Sequence, residues 1–273
     1  MGNNINYLYT VAISNLLIGH CLLSITATLE LNLEKASKVS DNKRTLSMLQ
    51  AALLDLGNTV LRERSYNLRT GFDSISQHLN PSQSIDKLIE SINVTQIETT
   101  EFSVQNWIKH NIKISDNDVS TEFLEVCLWN HTVTLEPIEQ VKESLEFLKD
   151  NEIRIAALSN AIFSANCIRL ELEKHDLDEY FEFVISSSDI GIRKPNTAIF
   201  ELALERFNLS SNRVCYIGDN WNADIIGAYS ANILPIDFSR EEVISDSGFN
   251  YYNFSNWQQF TGLWKNLSKL NEL

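Results

Sequence analysis

Basic residues are scarce in this chain: 22 Lys and Arg stand against 36 Asp and Glu, a formal net charge of -14 over 273 residues. No basic face offsets that total, which argues against a nucleic-acid-binding protein. An anionic small molecule is not excluded, because a local metal ion reverses the sign of the field in a pocket. Cysteine is equally sparse. Cys21, Cys127, Cys167 and Cys215 are scattered, with no CxxC pair among them. Neither a zinc site nor a disulfide framework is indicated, and the reading is reduced thiols, buried or partly buried, in a cytoplasmic protein. The sequons at Asn93 and Asn130 carry no weight in a chain rich in Asn and Ser.

Charge is missing altogether from Leu8 to Leu29. About 22 residues is long enough to cross a bilayer. Ser14, Asn15, His20, Ser24, Thr26 and Thr28 dilute the stretch, however, and no basic residue precedes it as a secretory signal requires. If it did span, Lys35, Lys38, Lys43 and Arg44 would hold the rest of the chain in the cytoplasm. The expectation for residues 1–47 is an N-terminal extension, helical or disordered, with membrane contact by residues 8–29 as the lesser alternative. Met48 sits directly before the first core strand and is an alternative start of translation.

What is present reads as an ordinary globular protein. Apolar residues make up 44% and charged residues 21%, enough for a core without covalent staples. The length suits one large domain, or a core with a smaller insert. From Leu49 to Leu54 a short apolar run predicts a buried strand ending at Asp55. A mostly helical region follows from about Arg62 to Asn130. Glu139 to Asp150 then reads as a helix, Ile153–Leu158 as a strand, Ile162–His175 as a helix and Phe183–Ile185 as a strand. Pro195-Asn196 starts another helix. Val214–Ile217 is a strand ending at Gly218-Asp219, Asp224–Ser230 a short helix, and Ile233–Ile236 a fifth strand. Such alternation implies right-handed βαβ units in a parallel sheet. Sites in these sheets lie at the carboxyl ends of the strands, where Asp55, Ser159 and Asp219 all fall.

Each of these strand ends has a chemical and a bland reading. In Asp55-Leu-Gly-Asn-Thr59 a carboxylate at a strand tip can attack phosphorus or carbon, or it can simply cap an ordinary turn. The Ser159 hydroxyl and nearby backbone N–H groups can bind phosphoryl oxygens, or Ser159-Asn160 can be a helix N-cap. Lys194 precedes Pro195 and so lies in an extended loop; it can neutralise a nucleophile and an anionic substrate, whereas Arg193 reads as a solvated surface charge. Asp219 and Asp224, five residues apart behind Gly218, form a hard oxygen site suited to Mg2+. Asp224 alone is also what a helix start favours.

The order of these four elements, together with Tyr180 to Pro195 and its continuation Ala198 to Leu204, resembles the haloacid dehalogenase-like (HAD) superfamily, in its form with a helical cap inserted after the first motif. The resemblance runs from about Met48 to the C-terminus. It implies an α/β fold: a doubly wound, Rossmann-like parallel-sheet core over 48–61 and 131–273, with a helical cap over 62–130 that excludes water and reads the substrate. It implies that Asp55 forms an aspartyl intermediate, that Ser159 and Asn160 bind the transferred group, and that Lys194 holds charge near Asp55. It implies Mg2+ bound by Asp55, Asp219 and the backbone carbonyl of Gly57, with Asp224 as ligand or support. The implied partner is a small phosphorylated metabolite.

One position departs from the pattern. Phosphatases of this superfamily carry a second Asp two residues after the nucleophile, as general acid and base; here that place is Gly57. Loss of such a group typically costs about 10²–10⁴ in rate, least where the leaving group needs no proton. The leading expectation is a Mg2+-dependent phosphatase or phosphotransferase. The alternatives are a dehalogenase-type hydrolase attacking carbon, and a non-catalytic binding protein that kept the fold. His78, His110 and His131 lie in the cap region and read as ordinary, partly exposed histidines; the alternative is that one replaces the missing acid if closure brings it to the site.

Overall fold

The first apolar run forms β1 (Ala51–Leu54), and all its residues are buried. Alternation sends Ala51 and Leu53 into one core, and Ala52 and Leu54 into another on the opposite face. A strand covered on both faces belongs to the middle of an α/β sandwich. The structure, a computed structural model, describes residues 49–92, 102–114, 119–239, 249 and 251–269. The reading of residues 1–47, including 8–29 and Cys21, lies outside the described residues. Among the described residues no helix is long and apolar enough to cross a membrane.

After β1 and a tight turn come β2 (Leu61–Tyr66) and four helices, α1 (Leu68–Ile75), α2 (Ile85–Ser91), α3 (Val104–Asn111) and α4 (Thr121–Thr132); the chain returns as β3 (Val133–Pro137). β2 and β3 pair antiparallel, with Leu61 opposite Pro137 and Tyr66 opposite Val133. This ribbon is a correction to the helical reading from Arg62. Leu-Arg-Glu-Arg is a run of good helix formers, but pairing with a distant segment overrides that local preference. The side chains of Asn67, Ser103 and Ser120 cap α1, α3 and α4 by accepting first-turn N–H groups. These helices enclose their own core, which includes Phe72, Trp107, Ile108, Leu124 and Leu128 and is joined from the main body by Phe163 and Cys167.

The rest of the chain alternates: α5 (Val141–Asp150), β4 (Arg154–Ser159), α6 (Ala165–Lys174), β5 (Val184–Ser186), the one-turn α7 (Ser187–Ile190), α8 (Thr197–Phe207) and β6 (Val214–Gly218). A π-helical turn (Trp221–Ile226) then runs into α9 (Gly227–Ser230), followed by β7 (Leu234–Phe238), β8 (Tyr252–Phe254) and α10 (Trp257–Lys269). The sheet order is β5-β4-β1-β6-β7-β8, every neighbouring pair parallel. The chain winds outward from β1 through β4 to β5, crosses back to β6, and winds outward on the other side. This is the doubly wound, Rossmann-like order expected. A crevice opens where the direction of winding reverses, between the carboxyl ends of β1 and β6. Asp55 and Asp219 stand on its two lips. Two details correct the sequence reading. β8 adds a sixth strand, and the helix expected at Asp224 begins earlier, as the π-helical turn at Trp221.

Candidate active site

Asp55 continues the β1–β6 pairing one residue past the strand, its N–H donating to Ile217 O at 2.8 Å. The turn behind it closes on the Leu56 carbonyl, which accepts the N–H groups of Val60 at 2.9 Å and Leu61 at 2.8 Å. Asn58 takes the left-handed conformation this turn needs (φ 58°). The Trp257 indole N–H donates to Thr59 O at 2.9 Å and ties the turn to α10. Thr59 Oγ1 donates to Asp55 Oδ2 at 3.3 Å. Gly57 lies on the open side of the turn, where a Cβ would meet nothing within 4 Å.

Lys194 reaches Asp55 from the loop that follows α7. Its loop is fixed to the β4 tip by Asn160, whose Oδ1 accepts Lys194 N–H at 2.8 Å and whose Nδ2 donates to Lys194 O at 3.0 Å. The Lys194–Pro195 peptide is cis. Nζ donates to Asp55 Oδ1 at 2.7 Å, Asp224 Oδ1 at 2.6 Å and the Tyr216 hydroxyl at 2.6 Å, which uses all three ammonium protons. Burial alone would push this ammonium down. Asp224 and Asp55 overcome burial and hold Lys194 above its ordinary value. Arg193 is half-buried rather than a solvated surface charge: it shares the Lys194 loop, which Asn160 draws onto the β4 tip.

Gly218 ends β6 because nothing larger fits. A Cβ there would come within 2.5 Å of the Asp224 carboxylate. Asp224 Oδ2 accepts Asn220 N–H at 2.9 Å, while Oδ1 takes Lys194 and, at 3.0 Å, the Tyr216 hydroxyl. Gly218→Ala should therefore displace Asp224 and destabilise the fold by about 1–3 kcal/mol; an unchanged melting temperature in thermal denaturation would contradict this packing.

One carboxylate oxygen from each of Asp55, Asp219 and Asp224 lies within 4.8 Å of the others. Three carboxylates against the single Lys194 ammonium leave about two negative charges in excess, the charge a divalent cation would neutralise. The strain is visible at Asp55. Burial pushes its carboxyl up, Lys194 opposes that, Asp224 and Asp219 reinforce it, and the result is about 7. Oxygen donors, charge and spacing all fit a hard cation such as Mg2+. Asp237 adds a fourth carboxylate that the sequence reading missed. It sits opposite Gly218 in β7, 2% exposed, and is raised to about 6 by burial, Asp219 and Asp224.

Ser159 closes β4 and faces a cavity of about 380 Å³. Gly57, Asn58, Ser159 and Asn160 form its floor, and Trp129, Val133, Leu135, Ile162, Phe163 and Ile168 its walls. The backbone N–H groups that follow Ser159 are largely taken. Ala161 N–H donates to Ser187 Oγ at 3.0 Å, Ser164 N–H to Glu125 at 2.9 Å, and Ala165 N–H to Asp189 at 2.9 Å. The α6 N-terminus is thus occupied by carboxylates. The three cap histidines do not line this cavity among its described residues. Cys167 and Cys215 are pushed up to about 12 by burial and are inert as nucleophiles.

Tyr216 also escaped the sequence reading. Its hydroxyl accepts from Lys194 and lies 3.0 Å from Asp224 and 3.2 Å from Leu158 O. Burial, Asp224 and Asp55 hold the phenol well above its ordinary value. Its position two residues before Gly218, in phase with the strand end, was the available signal.

A Rossmann-ordered sheet with a carboxylate on each lip of its switch point, and helices inserted behind the first strand, defines a class of hydrolase. The chain matches the family model for haloacid dehalogenase-like hydrolase over residues 52–236 and belongs to that family. It is 27% identical over 120 residues to (S)-2-haloacid dehalogenase 2 of a Pseudomonas species, covering 44% of this chain and 52% of that protein. It is 31% identical over 102 residues to a glyceraldehyde 3-phosphate phosphatase of Methanothermobacter thermautotrophicus, covering 37% of this chain and 44% of that protein. The chain thus matches about half the length of these relatives. Similar folds include a 2-haloacid dehalogenase from Pseudomonas syringae (TM-score 0.55, 16% identity, 80% of this chain and 99% of the other). A HAD phosphatase from Thermococcus onnurineus is also similar (TM-score 0.51, 19% identity, 79% and 97%).

Proposed function

We propose that this hydrolase is a Mg2+-dependent phosphatase or phosphotransferase acting on a small phosphorylated substrate, with Asp55 as its nucleophile. The observation that carries the reading is the Asp55–Asp219–Asp224 cluster, whose oxygens approach within 4.8 Å around one ammonium. The residues that would hold the ion are Asp55, Asp219 and the Gly57 carbonyl. Asp224 already accepts from Lys194, Tyr216 and Asn220, which favours a supporting role. Mg2+, when bound, supplies positive charge to the phosphoryl oxygens.

In the first step the Asp55 carboxylate attacks phosphorus, and the bond from phosphorus to the leaving oxygen breaks with its electron pair going to that oxygen. Lys194 favours the ionised form of Asp55 against burial, and Ser159 Oγ donates to a phosphoryl oxygen. Asn160 positions Lys194. Attack on phosphorus by water, or by an acceptor hydroxyl, then restores Asp55.

Magnesium should raise the melting temperature of the chelator-treated protein, and the effect should depend on pH. Asp55 is raised to about 7, so below that value a proton must leave before the ion binds. The apparent affinity should fall about tenfold for each pH unit below 7. Titration calorimetry at several pH values tests this; a pH-independent affinity, or no thermal shift, counts against it. Turnover of acyl phosphates and phosphate esters that survives a chelator would sink the reading outright. Beryllium fluoride retention that requires both Mg2+ and Asp55 separates a competent site from a binding protein that only kept the fold.

A second reading is dehalogenase-type attack on carbon, favoured by the apolar cavity walls and by Gly57. The carboxylate excess beside Asp55 counts against it, since attack on carbon needs no cation. Halide release from 2-haloacids in the presence of a chelator would establish it instead.

A further inference from the structure

We infer that the substrate is an acyl or aryl monophosphate with an apolar organic part: a leaving group of low basicity joined to a body that fills the cavity beside Ser159. This rests on the phosphohydrolase reading of Asp55.

The first observation concerns the proton. The Gly57 position faces the cavity and is empty. His110 Nδ1 bonds Asn106 O at 2.7 Å and His131 Nδ1 bonds Cys127 O at 2.9 Å, each within its own helix. The one buried carboxylate on the wall, Glu171, is an acceptor for Trp129 Nε1 at 3.1 Å, Lys174 Nζ at 2.6 Å and His175 Nε2 at 3.3 Å. Glu63 and Tyr66 on the described lining are both exposed, and burial, with Glu63 beside it, holds the Tyr66 phenol above its ordinary value, so among the described residues the cavity offers the leaving oxygen no acid poised near neutral pH. Without a proton donor an alkoxide departs more slowly by about 10²–10⁴, whereas a carboxylate or a stabilised phenolate loses little.

The second observation is independent and concerns the body of the substrate. The cavity walls are apolar, and the described lining contains no Lys or Arg. Glu171 is already neutralised by Lys174. Glu63 at the mouth is exposed and would repel a second phosphate. A polyol or a bisphosphate would enter with its polar groups unpaired, whereas an alkyl or aryl group would lose only water.

The reaction balances without a further reactant. An Asp55 O–P bond forms as the P–O bond to the acyl or aryl oxygen breaks, and that oxygen leaves as an anion with the electron pair. Water then forms a new P–O bond, Asp55 departs with its electrons, and the water proton passes to solvent as phosphate is released.

The test uses the full chain with Mg2+ and the series acetyl, butanoyl and hexanoyl phosphate, alongside phenyl, 4-nitrophenyl and n-butyl phosphate, a hexose phosphate and a hexose bisphosphate. Each buried methylene should raise kcat/KM about fourfold, so butanoyl phosphate should exceed acetyl phosphate about sixteenfold. The 4-nitrophenyl ester should outrun the phenyl ester, and the hexose phosphates should be the slowest. Binding of propylphosphonate against methylphosphonate, by calorimetry, reads the same preference without turnover and should differ by a similar factor. Leu135→Gln should flatten the series and Leu135→Met should keep it. A flat series, or a hexose phosphate as the preferred substrate, overturns this inference and leaves the phosphohydrolase reading standing. Absence of turnover on every phosphate, together with no beryllium fluoride binding, removes both.

Discussion

Asp55→Asn should abolish turnover, lowering kcat by about four orders of magnitude or more, while the metal-free protein melts no lower, and at neutral to alkaline pH higher, than the parent. The two halves of this expectation have different causes. Activity is lost because the amide has no carboxylate oxygen to offer phosphorus or carbon. Stability is kept because Lys194 retains Asp224 at 2.6 Å and the Tyr216 hydroxyl at 2.6 Å, so no buried charge is left bare. It rises because the crevice carries too many carboxylates. The Asp55 carboxyl is raised to about 7 from an ordinary value of 3.8, first by burial. The folded state thus binds its proton more tightly than the unfolded chain does. That contribution to stability is complete below about 4 and is lost as pH rises to about 7. The variant lacks this loss. Its advantage in melting temperature should be absent near pH 4 and full at pH 8, worth about 2–4 °C for every kcal/mol recovered. Parallel melts in chelator across that range decide it. A variant less stable than the parent at pH 8 would mean that Asp55 serves the fold rather than the chemistry.

The elements legible in the sequence were those that end in chemistry. Leu49 to Leu54, Ile153 to Leu158 and Val214 to Ile217 are short apolar runs that stop at a polar residue, and each lies within a residue or two of a strand in the sheet. What could not be read depends on pairing across the molecule. Tyr216 is in phase with the strand end at Gly218, but only the approach of the distant Lys194 loop to its hydroxyl gives it a part in the site. Asp237 was cut off by ending the fifth strand at Ile236, and only the β6–β7 register places it opposite Gly218. The β2–β3 ribbon joins segments separated by all four helices, so no local period reveals it.

The same dependence on distant contacts governs the β4 tip. Glu125 of α4 is buried and accepts both Ser164 N–H and, at 2.8 Å, Ser164 Oγ. Trp129, one turn further along α4, donates to Glu171 and meets Phe163 edge to face at 5.1 Å. The helical insertion therefore grips the residues immediately after Ser159 and Asn160. Wall and floor of the cavity are positioned by one set of contacts, so the shape of the cavity and the placement of Ser159 and Asn160 are set together.

Gly57→Asp should extend the proposed phosphatase activity to ordinary alkyl phosphates, with a gain on n-butyl and phenyl phosphate of about 10²–10⁴. The substitution is geometrically free. Gly57 is absent from the positive-φ positions, is exposed, and has no neighbour within 4 Å of a new Cβ. The cluster behind it should also tune the incoming carboxyl. The cluster should repel a further negative charge, as Asp219 and Asp224 already do at Asp237, which is raised to about 6 by burial and by these two carboxylates. A carboxyl held upward in this way keeps its proton nearer neutral pH, as a general acid requires. Acyl phosphates should gain little in kcat/KM, because their leaving carboxylate needs no proton, whereas any gain in kcat from a base for the attacking water is shared by all substrates. Gly57→Asn supplies the control, having similar bulk and no acidic proton, and it should gain nothing on any ester. The pH profile of the Asp variant on n-butyl phosphate should acquire a falling alkaline limb that the parent lacks, since deprotonating the new carboxyl removes the acid. If the Asn variant matches the Asp variant, or if alkyl phosphates stay as slow as in the parent, the leaving-group restriction has some cause other than the empty place at Gly57.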